Sequence, residues 1–261
     1  MPTNEEIREM YSGYYSRNDG IGYVGYRSTP SISAIDFAIW DSIKRFGDTP
    51  STSLDVGCAF GGRVAFLRRK GLRASGIDIM KEAVDFGRNR WNLDLRLGRF
   101  EDFEPDTTFD VITMIDFIEH LSSARSWSGR VKSLTRPNSL LLILTPDFDC
   151  YLEYGERWVG YNLSFEHVLF YNRQSLEYVL GKIGFTKAMA INFRPLPPIF
   201  VPSSDKRPSS LEILYTQLSR FPGVARLNDV RVRVSAAVIW RKLLEYGERQ
   251  NSLLFVAKRT Q

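Results

Sequence analysis

The sequence predicts an α/β protein built on a doubly wound, mostly parallel sheet of seven strands. Three observations predict it. From residue 52, short β-branched or Leu-rich runs alternate with helical stretches, as parallel crossovers require. The first run passes through a glycine-rich turn, Asp55-Val56-Gly57-Cys58-Ala59-Phe60-Gly61-Gly62, straight into a helix. The second run, Ala74-Ser75-Gly76-Ile77-Asp78-Ile79, places an acid at its carboxyl end.

Taken in order, residues 3–16 and 31–46 have the apolar spacing of helices, the second through Ile32, Ile35, Ile39 and Ile43. Between them, Tyr14, Tyr15, Tyr23 and Tyr26 are interleaved with glycines and predict a loop with aromatic anchors. Strands are expected at Ser53–Val56, Ala74–Ile79, Leu93–Leu97, Phe109–Ile115 and Leu140–Thr145, with helices near 61–70, 80–91 and 121–135. A helix over 173–183 ends at Gly184, a good C-cap residue, and a strand follows at Phe185–Phe193. Five prolines between 195 and 208 introduce an irregular connection, with two helices expected near 209–220 and 227–246 before a last strand, Ser252–Lys258. This order divides the chain into an N-terminal helical lid (1–48), a ligand-binding core (49–194), a helical insertion suited to a substrate cap (195–250), and the last core strand (251–261).

With 43% hydrophobic and 25% charged residues, the composition excludes disorder, collagen and coiled coil as the main architecture. Two cysteines are too few for a disulfide scaffold and suit a reducing compartment. No run of about 18 apolar residues is present to span a membrane. The start, Met-Pro-Thr-Asn-Glu-Glu, is unlike a secretory signal, so a cytoplasmic location is expected. The net charge of +5 is uneven: from residue 186 onward, thirteen Lys and Arg face five Asp and Glu. Such a surface attracts nucleic acid, anionic lipid or a phosphorylated substrate, or is a plain solvated face. The basic, partly apolar 227–246 segment would suit peripheral membrane contact, or packing on the domain.

The glycine turn lets backbone approach a ligand while helix amides face it. Its spacing, Asp-x-Gly-x-Ala-x-Gly, is not that of a dinucleotide fingerprint. The leading acid would repel a pyrophosphate and hold an ammonium through water. Asp78, 17 positions after Gly61, suits the hydroxyls of a ribose or an N-cap.

At these residues the chain resembles the class I S-adenosylmethionine-dependent methyltransferases. Leu54–Gly61 is similar to their first motif and Gly76-Ile77-Asp78 to their second. Phe109–Asp116 resembles the fourth-strand motif, and Arg136-Pro137-Asn138-Ser139 the turn before strand five. Trp158, Glu166-His167, Ser175-Leu176 and Gly184-Phe185 resemble a subgroup of ubiquinone-biosynthesis and sugar methyltransferases. The resemblance implies a Rossmann-like fold and S-adenosylmethionine as cofactor, with S-adenosylhomocysteine as product. It implies that Asp55 and Gly57 hold the methionine end and that Gly61 permits close approach. It assigns Asp78 to the ribose, Ile79 to the adenine side, and Phe100 and Glu101 to adenine. Asp116 and Phe117 fall near the methionyl ammonium.

Methyl transfer to a hydroxyl needs an aligned nucleophile and a base. The two histidines, His120 and His167, both fall near strand ends and are the catalytic candidates; the alternative for each is a structural role. Asp116, Glu119 and His120 resemble a Glu-x-x-Glu-His pattern at which a divalent metal assists. Near-contiguous residues at a helix start rarely all point one way, so no metal is expected. The leading expectation is O-methylation of a small molecule or glycan. N-methylation of an amino sugar or amine, RNA methylation, and a non-catalytic scaffold are the alternatives. Nucleic acid is the less favoured partner, since no RNA-binding module is recognisable.

Overall fold

The computed structural model describes residues 34–155, 158, 167–193 and 252–260. The expected helix over 3–16, the tyrosine-rich loop, the 195–250 insertion and the 227–246 helix lie outside the described residues.

The seven strands are β1 (Thr52–Val56), β2 (Arg73–Asp78), β3 (Asp94–Leu97), β4 (Phe109–Ile115), β5 (Thr135–Pro146), β6 (Phe185–Phe193) and β7 (Ser252–Arg259). They form one sheet in the order β3-β2-β1-β4-β5-β7-β6. Pairs among the first five are parallel, and β7 runs antiparallel to both neighbours. The order reverses between β1 and β4, the place at which open α/β sheets bind ligands.

Alternation builds the two faces. Leu140, Leu142 and Leu144 of β5 pack with α1 (Ala34–Phe46), α2 (Gly62–Arg69) and α3 (Lys81–Trp91) through Ile39, Ile43, Phe66, Leu67 and Val84. Leu141 and Ile143 point the other way, against α4 (Ala124–Ser133) and α6 (Arg173–Gly181), through Trp127, Val131, Leu176 and Leu180. Burial on both faces explains why these central strands are continuous apolar runs. The chain reaches α6 through a short helix, α5 (Asp149–Tyr154), which the periodicity does not foretell.

Caps set several boundaries. Ser123 accepts from Ser126 N and caps α4, which starts at Ala124, three residues beyond the expected 121. Asn172 and Ser175 bond each other's backbone N–H in a capping box that starts α6. Strand β5 begins at Thr135 rather than Leu140: Arg136–Ser139 is a bulge in the strand, not a turn before it. The pairing steps from Phe109–Thr135 to Val111–Leu140, with Asn138 left-handed at φ 73°. Helix α1, which the sequence places with the lid, is built into the core, with Ile39 and Ile43 fully buried.

Leu142 and Leu152 make a matched test. Leu142 is fully buried between β5 and the α1 face, whereas Leu152 is 74% exposed. Leu142→Ala should cost about 3 kcal/mol, and Leu152→Ala less than about 0.5 kcal/mol. Urea midpoints at unchanged slope would measure both.

Candidate functional site

The carboxyl ends of β1, β2 and β4 bring the glycine turn and the predicted carboxylates together. Gly57, Ala59 and Gly61 all have positive φ, 70°, 46° and 81°. Gly57 and Cys58 donate to Ile77 O, which hangs the turn from β2. A Cβ on Gly57 would lie 2.7 Å from Phe117 Cδ2, and one on Gly61 2.7 Å from Leu93 Cδ1. Both positions therefore exclude a side chain twice, by space and by φ. Ala59, where the resembled family often has glycine, bears the left-handed strain of a Cβ. Its N–H is held by Asp78.

Asp78 spans the turn and the next helix. Its Oδ2 accepts from Ala59 N and its Oδ1 from Met80 N, both at 2.8 Å. Burial pushes its carboxyl above the usual range against those N–H bonds. Asp78 is not the N-cap of the next helix; that residue is Met80, with no side-chain cap, and each Asp78 oxygen keeps acceptor capacity. Ile79 is half-buried beside Ala59, Phe86 and Met80.

Asp55 is 1% exposed. Its Oδ1 accepts from Thr113 Oγ1 at 2.7 Å and from Arg63 Nη1 at 2.9 Å. Its Oδ2 is buried without a hydrogen-bond partner. Burial opposes the Arg63 charge, but Asp55 and Asp36 outweigh it and keep the guanidinium firmly protonated. Neither Arg63 nor Thr113 stood out in the sequence. Thr113 meets Asp55 through their in-register pairing across β1 and β4, which no spacing in the sequence marks. Burial first, then Asp78 and Asp55, push the Cys58 thiol well up, which disfavours the thiolate.

Asp116 closes β4 in the left-handed region, at φ 50°, with its N–H donated to Leu144 O. Its side chain is open to solvent. The surrounding protein pushes its carboxyl up, Arg63 pulls it down, and water on the open side moderates both. Phe117 packs edge-on to Phe100 at 6.1 Å between centroids. Phe100 is 2% exposed and belongs to the core, so it backs Phe117 rather than lining an opening; the expected packing on adenine has no exposed Phe100 surface to use. Glu101 is half-buried, within 3.6 Å of Arg99, and its carbonyl is clamped by Arg130.

Beyond β4, Ile118–His120 forms a 3₁₀ turn. The ring of His120 lies 4.9 Å from that of His167, centroid to centroid. Ligand-type atoms of Glu119, His120 and His167 all lie within 4.8 Å of one another. Asp116 is not in this group, so the trio Asp116–Glu119–His120 does not converge, but Glu119 and His120 do so with His167. Glu119 is 1% exposed. Its Oε2 accepts from Thr145 Oγ1 at 3.0 Å, and its Oε1 is buried without a hydrogen-bond partner. Burial first, and Asp116 second, push its carboxyl well up. Its carbonyl accepts from Val168 N and Leu169 N, which pins the His167 segment to the end of β4. Phe170, against His167, joins an aromatic group with Phe148, Tyr151 and the 1% exposed Trp158. A hollow lined by Gly47, Pro50, Asp110 and Arg136 lies at the opposite ends of β4 and β5 and takes no part. Among the described residues no helix is long and apolar enough to cross a membrane.

A family model for the methyltransferase domain matches residues 34–188. The ubiquinone biosynthesis O-methyltransferase of Actinobacillus pleuropneumoniae serotype 5b (strain L20) is 32% identical over 103 residues, which cover 35% of this chain and 44% of that protein. Its counterpart in Rhodopseudomonas palustris (strain HaA2) is 27% identical over 97 residues, covering 35% and 38%. The chain thus spans less than half the length of these curated relatives. Among solved structures, a SAM-dependent methyltransferase from Archaeoglobus fulgidus superposes with TM-score 0.54 at 17% identity, covering 86% of this chain and 94% of that one. The N-methyltransferase NodS from Bradyrhizobium japonicum WM9, in complex with S-adenosyl-L-homocysteine, gives 0.56 at 12% identity, covering 97% and 98%. With the domain model matching over more than half its length, and the sheet order and glycine turn described above, the chain belongs to the methyltransferase-domain family and has the class I S-adenosylmethionine-dependent methyltransferase fold.

Proposed function

We propose that the chain transfers the methyl group of S-adenosylmethionine to a hydroxyl of a small molecule or glycan. His167 acts as general base and His120 orients beside it. The observation that carries this reading is the convergence of both imidazoles with the buried Glu119 next to the end of β4. In the reaction the acceptor oxygen attacks the methyl carbon in line. The new C–O bond forms as the C–S bond breaks, and its electron pair stays on sulfur to give S-adenosylhomocysteine. The hydroxyl proton goes to His167. On the cofactor side, Asp55 and Gly57 hold the methionine end, Asp78 the ribose, and Ile79 the adenine side. Phe117 packs beside Gly57, and Asp116 stands at the rim. Transfer to oxygen rather than nitrogen is supported by the O-methyltransferase relatives, over the stretch they share.

A second reading has its own observation. Two imidazoles and one carboxylate form a donor set for a borderline divalent ion such as Zn²⁺ or Mn²⁺, and Glu119 Oε1 lacks a partner. Glu119, His120 and His167 would hold the ion, whose chemistry is to polarise the acceptor hydroxyl. Asp116 stands outside that set.

His167→Ala should lower turnover about a hundredfold while S-adenosylhomocysteine affinity stays within about twofold. The measurement is methyl incorporation from isotopically labelled donor into acceptors identified by mass spectrometry, paired with calorimetry. Equal turnover in the variant removes His167 from the base role. Activity lost on chelation and restored by Mn²⁺ or Zn²⁺ would favour the second reading.

Glu119 also makes a pH-dependent contribution in chelated protein. Its folded carboxyl titrates above the unfolded value of 4.5. Below that value it is protonated folded and unfolded, and its contribution is fully present. As pH rises toward the folded value the unfolded state releases the proton first, and stability falls. Glu119→Gln carries no such charge. The Tm of the variant minus that of the wild type should therefore grow from about pH 5 to about pH 8. A constant difference would show that Glu119 is not held protonated.

A further inference from the structure

Asp55 stands in mid-sheet with one oxygen satisfied twice and the other not at all. An unmet acceptor at that depth is costly, and it persists where a ligand completes it. Arg63, which holds Oδ1, is itself held from behind: its Nε donates to Asp36 Oδ1 at 3.1 Å. Asp36 is 3% exposed and lies in the first turn of α1, on the face that packs over α2. The trio thus joins α1, α2 and β1. Arg63 is thus shared between two carboxylates, Asp36 and Asp55, and Asp116 stands at the rim. The unmet Oδ2 next to the glycine turn is an acceptor that a cationic donor would satisfy. The cofactor offers one there, the α-ammonium of its methionine end.

We propose that Asp36 and Arg63 are positioning residues for the amino-acid end of S-adenosylmethionine. Arg63, together with Thr113, occupies Oδ1 of Asp55 and so leaves Oδ2 for the ammonium; Asp36 fixes the guanidinium that does this. Without its cation, Asp55 would relax by reorienting toward water, and the ammonium would lose its acceptor. Helix α1 thereby acts on the cofactor without touching it. The inference rests on the cofactor assigned under the proposed function.

Two ligands isolate the effect. S-adenosylhomocysteine carries the amino-acid end; 5′-methylthioadenosine shares the nucleoside and thioether and ends in a methyl group. Calorimetry on the full wild-type chain comes first: if neither ligand binds, the cofactor reading itself fails. With binding established, Asp36→Asn should weaken S-adenosylhomocysteine about tenfold and 5′-methylthioadenosine less than about twofold. Arg63→Met should weaken the first ligand further, again selectively, and Arg63→Lys should recover part of the loss. Should Arg63→Met fail to fold, the near-isosteric Asp36→Asn carries the test alone. Equal loss for both ligands, or no loss for either, would overturn the proposal, because a merely structural trio has no reason to distinguish them.

Discussion

A carboxylate in the middle of a sheet has to be compensated from within the protein, and this structure is arranged around one. Asp55 lies between Leu54 and Val56, both fully buried, and is itself only 1% exposed. Arg63 and Thr113 answer it from opposite sides, one from α2 and one from β4. Because Arg63 follows the glycine turn immediately, the pair clamps the turn at both of its ends. Removing one partner of such a buried pair typically costs about 3–5 kcal/mol. The clamp is thus a condition of the fold as well as of the site. Asp78 holds the same turn from β2, through Ala59 N. Two carboxylates on adjacent strands therefore shape one loop.

The chemistry sits across the switch in strand order. On the β1 side the groups suit a nucleoside with a cationic tail. On the β4 side, two imidazoles and a buried carboxylate stand together. The left-handed turn at Asp116 separates the halves: it ends β4 and sends Ile118–His120 toward β5, so that Glu119 reaches Thr145. A continued strand would have carried Glu119 and His120 past the end of the sheet.

What was legible in the sequence was local. Asp55, Gly57, Gly61 and Asp78 announce themselves because turn and strand end are contiguous in the chain, and backbone geometry demands those residue types there. The Leu-rich run Leu140–Thr145 announced a strand for the same reason. What was not legible depends on pairs far apart in sequence. Asp36 reaches Arg63 across 27 positions, and Thr113 reaches Asp55 across 58. No spacing rule links them until the sheet register is known. His120 and His167 were legible as candidates but not as neighbours, since their meeting depends on two backbone bonds to Glu119 O. The bulge at Arg136–Ser139 was hidden because a Pro-Asn pair reads as a turn, whereas pairing on both sides of it lets the strand absorb the extra residues.

Those backbone bonds also separate structure from charge at the second half of the site. The carbonyl of Glu119 positions His167, and the carboxyl of Glu119 sets the local electrostatics. A side-chain substitution at 119 leaves the carbonyl in place, so the imidazole pair keeps its anchor while the titratable carboxyl is removed. Position in the chain and charge in the pocket are usually altered together by a mutation; here one residue carries them on different atoms. The same division holds at Asp55, whose Oδ1 is held by Arg63 and Thr113 and whose Oδ2 is buried without a hydrogen-bond partner. In both halves of the site a single buried acid satisfies the scaffold with one atom and reserves another. That is how a sheet with so little room for polar groups presents reactive ones at its edge.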